Sequence, residues 1–134
     1  MPFPYTPMSA GPFGTILMPM MSIRLTNGTT VVDEIGLVDT GSAVNVLPYD
    51  LGIRLGLDWN APAQPLSLAG NVGRQTAKAA FLMGTVANFP PVLLIFAWSQ
   101  APDARLILGQ TNFLAEFDAC FFRSRGIFEV QPRP

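Results

Sequence analysis

From Ile35 to Ser42 the chain reads Ile-Gly-Leu-Val-Asp-Thr-Gly-Ser, an apolar strand that runs straight into a polar turn. No other segment restricts the fold as much. A strand carrying Leu37 and Val38 belongs in a core, so buried backbone delivers the Asp39 carboxylate to an edge where an unpaired charge is costly unless it has a task. The triplet Asp-Thr-Gly alone is weak, because most Asp-x-Gly stretches are turns in which the Asp side chain bonds its own backbone.

What the 134 residues lack narrows the chemistry. There is no histidine, which removes Ser-His-Asp and Cys-His catalysis and most zinc and haem sites. Cys120 is the single cysteine, so neither an intrachain disulfide nor a cysteine metal cluster can form. Lying among Phe117, Phe121 and Phe122, it reads as a small buried apolar residue. Carboxylate, lysine, tyrosine and hydroxyl groups remain, and no metal or cofactor is expected. With 49% apolar residues, 13% charged residues and a net charge of −1, disorder and an electrostatic nucleic-acid surface are both disfavoured. So sparsely charged a chain has few ways to cover itself, which favours burial against another subunit.

Two uncharged runs are long enough to test as membrane spans, which need about 20 mainly apolar residues. Met1 to Ile23 holds Pro2, Pro4, Pro7, Pro12 and Pro19 and no basic start, so it reads as a Pro-rich arm rather than a signal peptide. Ala79 to Pro102 has Pro90-Pro91 at its centre, which breaks a spanning helix. The expectation is no membrane span. With no signal peptide and no disulfide read in the sequence, a cytoplasmic location is the expectation.

Residues 1–14 are expected to form the arm and residues 15–134 one domain. Asn27-Gly28 is the strongest hairpin signal, joining a strand over Thr15 to Leu25, interrupted at Pro19, to one from Thr29 into Val38. A short helix is predicted over Tyr49 to Leu55, stopped by Gly56. Pro65 to Leu68 and Gln75 to Val86 read as a long hairpin whose tip is Ala69-Gly70-Asn71-Val72-Gly73. Val92 to Trp98 reads as a buried strand, Leu106 to Leu108 as a second that stops at Gly109. A helix capped by Thr111 and a terminal hairpin over Ala119 to Val130 complete a mostly-β chain.

Taken together, Gly36-Leu37-Val38-Asp39-Thr40-Gly41-Ser42-Ala43, the glycine-bearing hairpin, and Leu106-Ile107-Leu108-Gly109 before a short helix resemble the aspartic proteases, and more closely their single-domain retroviral type, the retropepsins. The three features lie in the family's order over roughly residues 15 to 131. The resemblance implies a closed β-barrel of the acid protease fold with one or two short helices, and peptide-bond hydrolysis with Asp39 as the catalytic residue. It implies that Thr40 hydrogen-bonds across a dimer interface, that Gly41 permits close backbone approach, and that Gly109, after Leu108, lies beside the active-site loop at a ψ-shaped strand crossing. Ser42 is expected either to bond the carboxylate or to serve the turn. Residues Ala69 to Gly73 take the place of the flap that closes over substrate. The helix after the active-site loop and the long N-terminal arm depart from the compact viral forms and point to a cellular or bacterial relative.

Hydrolysis without metal or nucleophile needs a base to activate water and an acid to meet the carbonyl oxygen. Two carboxylates sharing one proton supply both. At about 4 Å and an effective dielectric of about 20 they repel by roughly 4 kcal/mol, enough to keep them from ionising together. Only one Asp-Thr-Gly is present; Asp33, Asp50, Asp58, Asp103 and Asp118 lack the context. The dyad therefore requires Asp39 of two chains in an isologous homodimer, acting on an extended peptide or unfolded protein. Candidates for an intermolecular sheet are Thr15 to Met21 and Ile127 to Val130. The alternative is a catalytically silent dimerisation or peptide-binding module on the same fold.

Overall fold

The computed structural model describes residues 1–61, the backbone of 65–67 and 76, and residues 77–134. The chain is mostly β, 55% strand, with two short helices. Its strands are β1 (Pro2–Pro4), β2 (Thr6–Ser9), β3 (Thr15–Met18), β4 (Met20–Asn27), β5 (Thr30–Val38), β6 (Asn45–Pro48), β7 (Pro65–Ser67), β8 (Thr76–Thr85), β9 (Val92–Ser99), β10 (Ile107–Leu108), β11 (Phe117–Phe122) and β12 (Ile127–Pro132); the helices are α1 (Tyr49–Arg54) and α2 (Phe113–Glu116). No helix of the described residues is long and apolar enough to cross a membrane.

Six strands, in the order β4-β5-β10-β6-β9-β8, close into a barrel because β8 also pairs with β4, Leu25 opposite Gly84. Period-two alternation makes the interior: on β4, Met21, Ile23 and Leu25 are buried while Ser22 and Arg24 face out. Leu47, Leu82, Leu94, Phe96 and Leu108 join them. Each such side chain withdrawn from water contributes about 1.5–3 kcal/mol. Gly28, at φ 61°, makes the β4–β5 turn that Asn27-Gly28 predicts, with Asn27 opposite Thr30. Pro19, which has no N–H to give a ladder, separates β3 from β4.

Three expectations need correction. Val92 to Trp98 is not buried throughout: Leu93 (51% exposed) and Ile95 (37%) face out opposite Met83 and Phe81, and β9 is covered on both faces only from Phe96 on, where β6 lies alongside. Residues 1–14, expected as an extended or partly ordered arm, are strand along much of their length. Pro2–Pro4 pairs with β12, and Thr6–Ser9 forms a separate hairpin with Thr15–Met18. Ile127 to Val130 offers no open edge, since β12 is the central strand of a β1-β12-β11 sheet whose Phe3 and Tyr5 rings pack on Phe128.

Candidate functional site

Asp39 is held from two sides by backbone alone. At the end of β5 the amides alternate direction: the Val38 N–H donates to Pro19 O (3.0 Å), while the Leu37 and Asp39 N–H groups donate to Leu106 O (2.9 Å) and Leu108 O (3.0 Å). Only the last three residues of β5 are buried, because β10 joins it there, with Ile107 beside Leu37 and Leu108 beside Val38. Gly36 leaves room for this, with the Leu106 and Leu108 side chains packed where a methyl would stand. The strand then surfaces: Asp39 is half-buried, and Thr40 and Gly41 are exposed.

The loop is a tight turn around the carboxylate. The Gly41 N–H donates to Asp39 Oδ1 (2.8 Å) and the Ser42 N–H to Asp39 O (3.3 Å). Ser42 does not bond the carboxylate; its hydroxyl donates to Val44 O (2.7 Å) and so serves the turn. The carbonyl of Thr40 accepts from Gln110 Nε2 (2.8 Å). After the turn the chain passes Gly109 closely: the Gln110 N–H donates to Ser42 O (2.8 Å), the Thr111 N–H to Ala43 O (3.0 Å), and the Asn45 N–H to Thr111 O (2.9 Å). With β10 wedged between β5 and β6, the two segments cross at the glycine.

Gly109 stands where no side chain fits. A methyl there would collide with Val44 O and lie 2.7 Å from Ser42 O, both rigid backbone atoms of the Asp39 loop. A mere strand terminator would accept Gly109→Ala and gain about 0.4–1 kcal/mol from a stiffer unfolded chain. At this crossing the substitution is expected to cost about 1–3 kcal/mol, read as a lower urea midpoint at unchanged slope.

Two asparagines complete the crossing. Asn45 is fully buried, yet its amide is satisfied: Oδ1 accepts from the Gly109 N–H (2.8 Å) and the Phe113 N–H (3.4 Å), while Nδ2 donates to Ile95 O (3.0 Å) and Asn112 Oδ1 (3.2 Å). Asn112 in turn accepts from the Ile95 N–H (3.0 Å) and donates to Leu93 O (2.8 Å), standing in for a strand partner along the part of β9 that β6 does not reach. Neither was anticipated. Asn45 carries a signal, an amide within the apolar run Val44 to Leu47; Asn112 carries none, since Thr111 before it reads as a cap. Thr111 does not cap α2, whose N-cap is Asn112 without a side-chain cap bond.

The other carboxylates have local places. Asp33 forms a two-pronged pair with Arg24 (2.8 and 3.1 Å), whose hydrogen bond holds the Asp33 carboxyl below the usual range. Glu34 pairs with Arg54 and Glu116 with Arg133, while Asp58 accepts from the Asn60 N–H. Among the described residues no group of three or more Asp, Glu, Cys or His could hold a metal. Cys120 is exposed, not buried. Phe117 of the same strand faces inward, and three residues further on the pleat turns the thiol out. Ala69, Gly70, Asn71, Val72 and Gly73, assigned to a flap, lie outside the described residues; the strands leading to them do pair, Ser67 opposite Thr76. The chain matches no protein-family model and no curated protein.

Proposed function

We propose that this chain is one half of a homodimeric aspartic endopeptidase of retropepsin-like fold. The observation that carries the reading is the way a single carboxylate is presented: Asp39 is brought to a barrel rim by core strands and oriented by the Gly41 N–H, in a chain with one Asp-Thr-Gly. The crossing at Gly109 and the closed barrel support it. So does the pair of strands leading toward Ala69 to Gly73, which the resemblance assigns to a flap.

In the mechanism, a twofold axis passes between two Asp39 side chains. A water held between them loses its proton to the ionised carboxylate as it attacks the scissile carbonyl carbon. The protonated carboxyl meanwhile donates to the carbonyl oxygen. The tetrahedral intermediate collapses when a proton reaches the amine nitrogen, and the pair returns to its starting state. The Gly41 N–H, donating to Oδ1 from within the same chain, fixes each carboxylate before the other arrives. The substrate is an extended peptide or unfolded protein, lying strand-like under the hairpin.

Molecular mass in solution, measured with and without a peptide that mimics the tetrahedral intermediate, tests the reading beside cleavage of an unfolded protein at about pH 4–6. A dimer that cleaves is expected. A monomer under both conditions sinks the mechanism, and a dimer without cleavage leaves the silent binding module.

A further inference from the structure

We infer that Gln110 is a positioning residue for the Asp39 carboxylate, acting through the peptide group between Thr40 and Gly41. The inference rests on the protease reading and adds the side chain that keeps Asp39 in working orientation. The two ends of that one peptide meet different partners. Its carbonyl, Thr40 O, accepts from Gln110 Nε2 (2.8 Å), and its N–H, on Gly41, donates to Asp39 Oδ1 (2.8 Å). A hydrogen-bonded chain therefore runs from the glutamine amide, across a single peptide plane, to the carboxylate.

Backbone alone does not choose that plane. Ser42 O and Ala43 O accept from the Gln110 and Thr111 N–H groups, whereas among the described residues Thr40 O has no donor besides the Gln110 side chain. Gly41 offers no resistance to a half-turn of the peptide, because glycine takes either sign of φ at little cost. Such a turn would carry the N–H away from Asp39 Oδ1 and bring the Thr40 carbonyl oxygen toward it, setting two negative ends against each other. By donating to that carbonyl, Gln110 holds the plane that serves Asp39. The same bond polarises the peptide and strengthens its N–H as a donor to the carboxylate. Gln110 is itself fixed to the loop, since its own N–H donates to Ser42 O (2.8 Å). Its side chain is exposed and outside the core, so changing it disturbs the fold little. Positioning can thus be separated from folding.

Gln110→Leu removes the donor and is expected to lower kcat about 10-fold, with KM and the urea midpoint little changed. Gln110→Glu restores a donor only while its carboxyl is protonated. Taken as a ratio to wild type at each pH, its cleavage should stay within a few-fold near pH 4 and fall toward the Gln110→Leu value by about pH 6, as a carboxyl with a pKa of about 4.3 ionises. The other titratable groups near the loop are Asp118 and Cys120 in the adjoining groove and Glu116, paired with Arg133; all are common to every variant and cancel in the ratio. Independently of cleavage, hydrogen exchange followed by NMR should show the Gly41 amide losing protection in Gln110→Leu and keeping it in Gln110→Glu near pH 4. Gly41 protected equally in Gln110→Leu and wild type, a kcat for Gln110→Leu equal to wild type, or a Gln110→Glu ratio constant between pH 4 and 6 overturns the inference. If wild type cleaves while the Gln110 variants match it, only the positioning role fails. If wild type does not cleave but Gly41 protection still depends on Gln110, the hold on Asp39 stands and the protease reading fails.

Discussion

Asp39→Asn is expected to abolish cleavage, lowering the rate by about 10²–10⁴-fold or more, while leaving the fold and the dimer intact. The carboxamide oxygen can still accept the Gly41 N–H that positions Oδ1, and the backbone bonds from Pro19 and Leu108 do not involve the side chain. What is lost, on the proposed mechanism, is the group that takes the proton from water. With one Asp39 drawn from each chain, as proposed, mixing equal amounts of wild type and variant under exchanging conditions leaves about a quarter of pairs competent. Activity in the mixture should therefore approach one quarter of that of wild type alone at the same total protein. A fall to only one half would mean that each chain acts alone, and a variant that cleaves as well as wild type would remove Asp39 from the chemistry.

The second large effect is expected at Asn45→Leu. The side chains are similar in volume, so packing changes little, but the Gly109 N–H and Ile95 O lose the amide that meets them at a fully buried position. Each orphaned group costs about 1–3 kcal/mol, together about 2–6 kcal/mol, against a total stability of about 5–15 kcal/mol for a domain. A urea titration should show the midpoint falling accordingly. Cleavage should fall further than the unfolded fraction explains, because Leu108, the neighbour of Gly109, carries the carbonyl that holds the Asp39 amide. An unchanged midpoint would show that the buried amide adds no net stability to the crossing.

Features written in neighbouring residues were legible in the sequence. Asn27-Gly28 marks its hairpin because positive φ is demanded locally, and Leu37, Val38 and Asp39 mark a strand reaching an edge because the polarity changes within two residues. The exposed Leu93 and Ile95 misled because an apolar run does not say whether both faces find cover; that depended on β6 starting only opposite Phe96. The N-terminal hairpin was hidden by its prolines, since Pro7 and Pro12 mask a pairing that matches Thr6 with Met18 and Ser9 with Thr15. Asn112 was illegible because its partners lie 17 to 19 residues away on β9, and its neighbours say only that a helix follows. The candidate site divides in the same way: its carboxylate is announced by adjacent residues, and its supports are not.

The crossing at Gly109 also sets when the carboxylate becomes held in place. Gly109 bonds Asn45 across 64 residues and Gln110 bonds Thr40 across 70, so the loop around Asp39 is braced by chain that leaves the ribosome long after it. Contacts this distant in sequence form late, after their loop-closure entropy has been met. While a chain is being made, its Asp-Thr-Gly is exposed for dozens of residues of synthesis without the brace that orients it. The support around Asp39 is therefore completed only when most of the chain has been made.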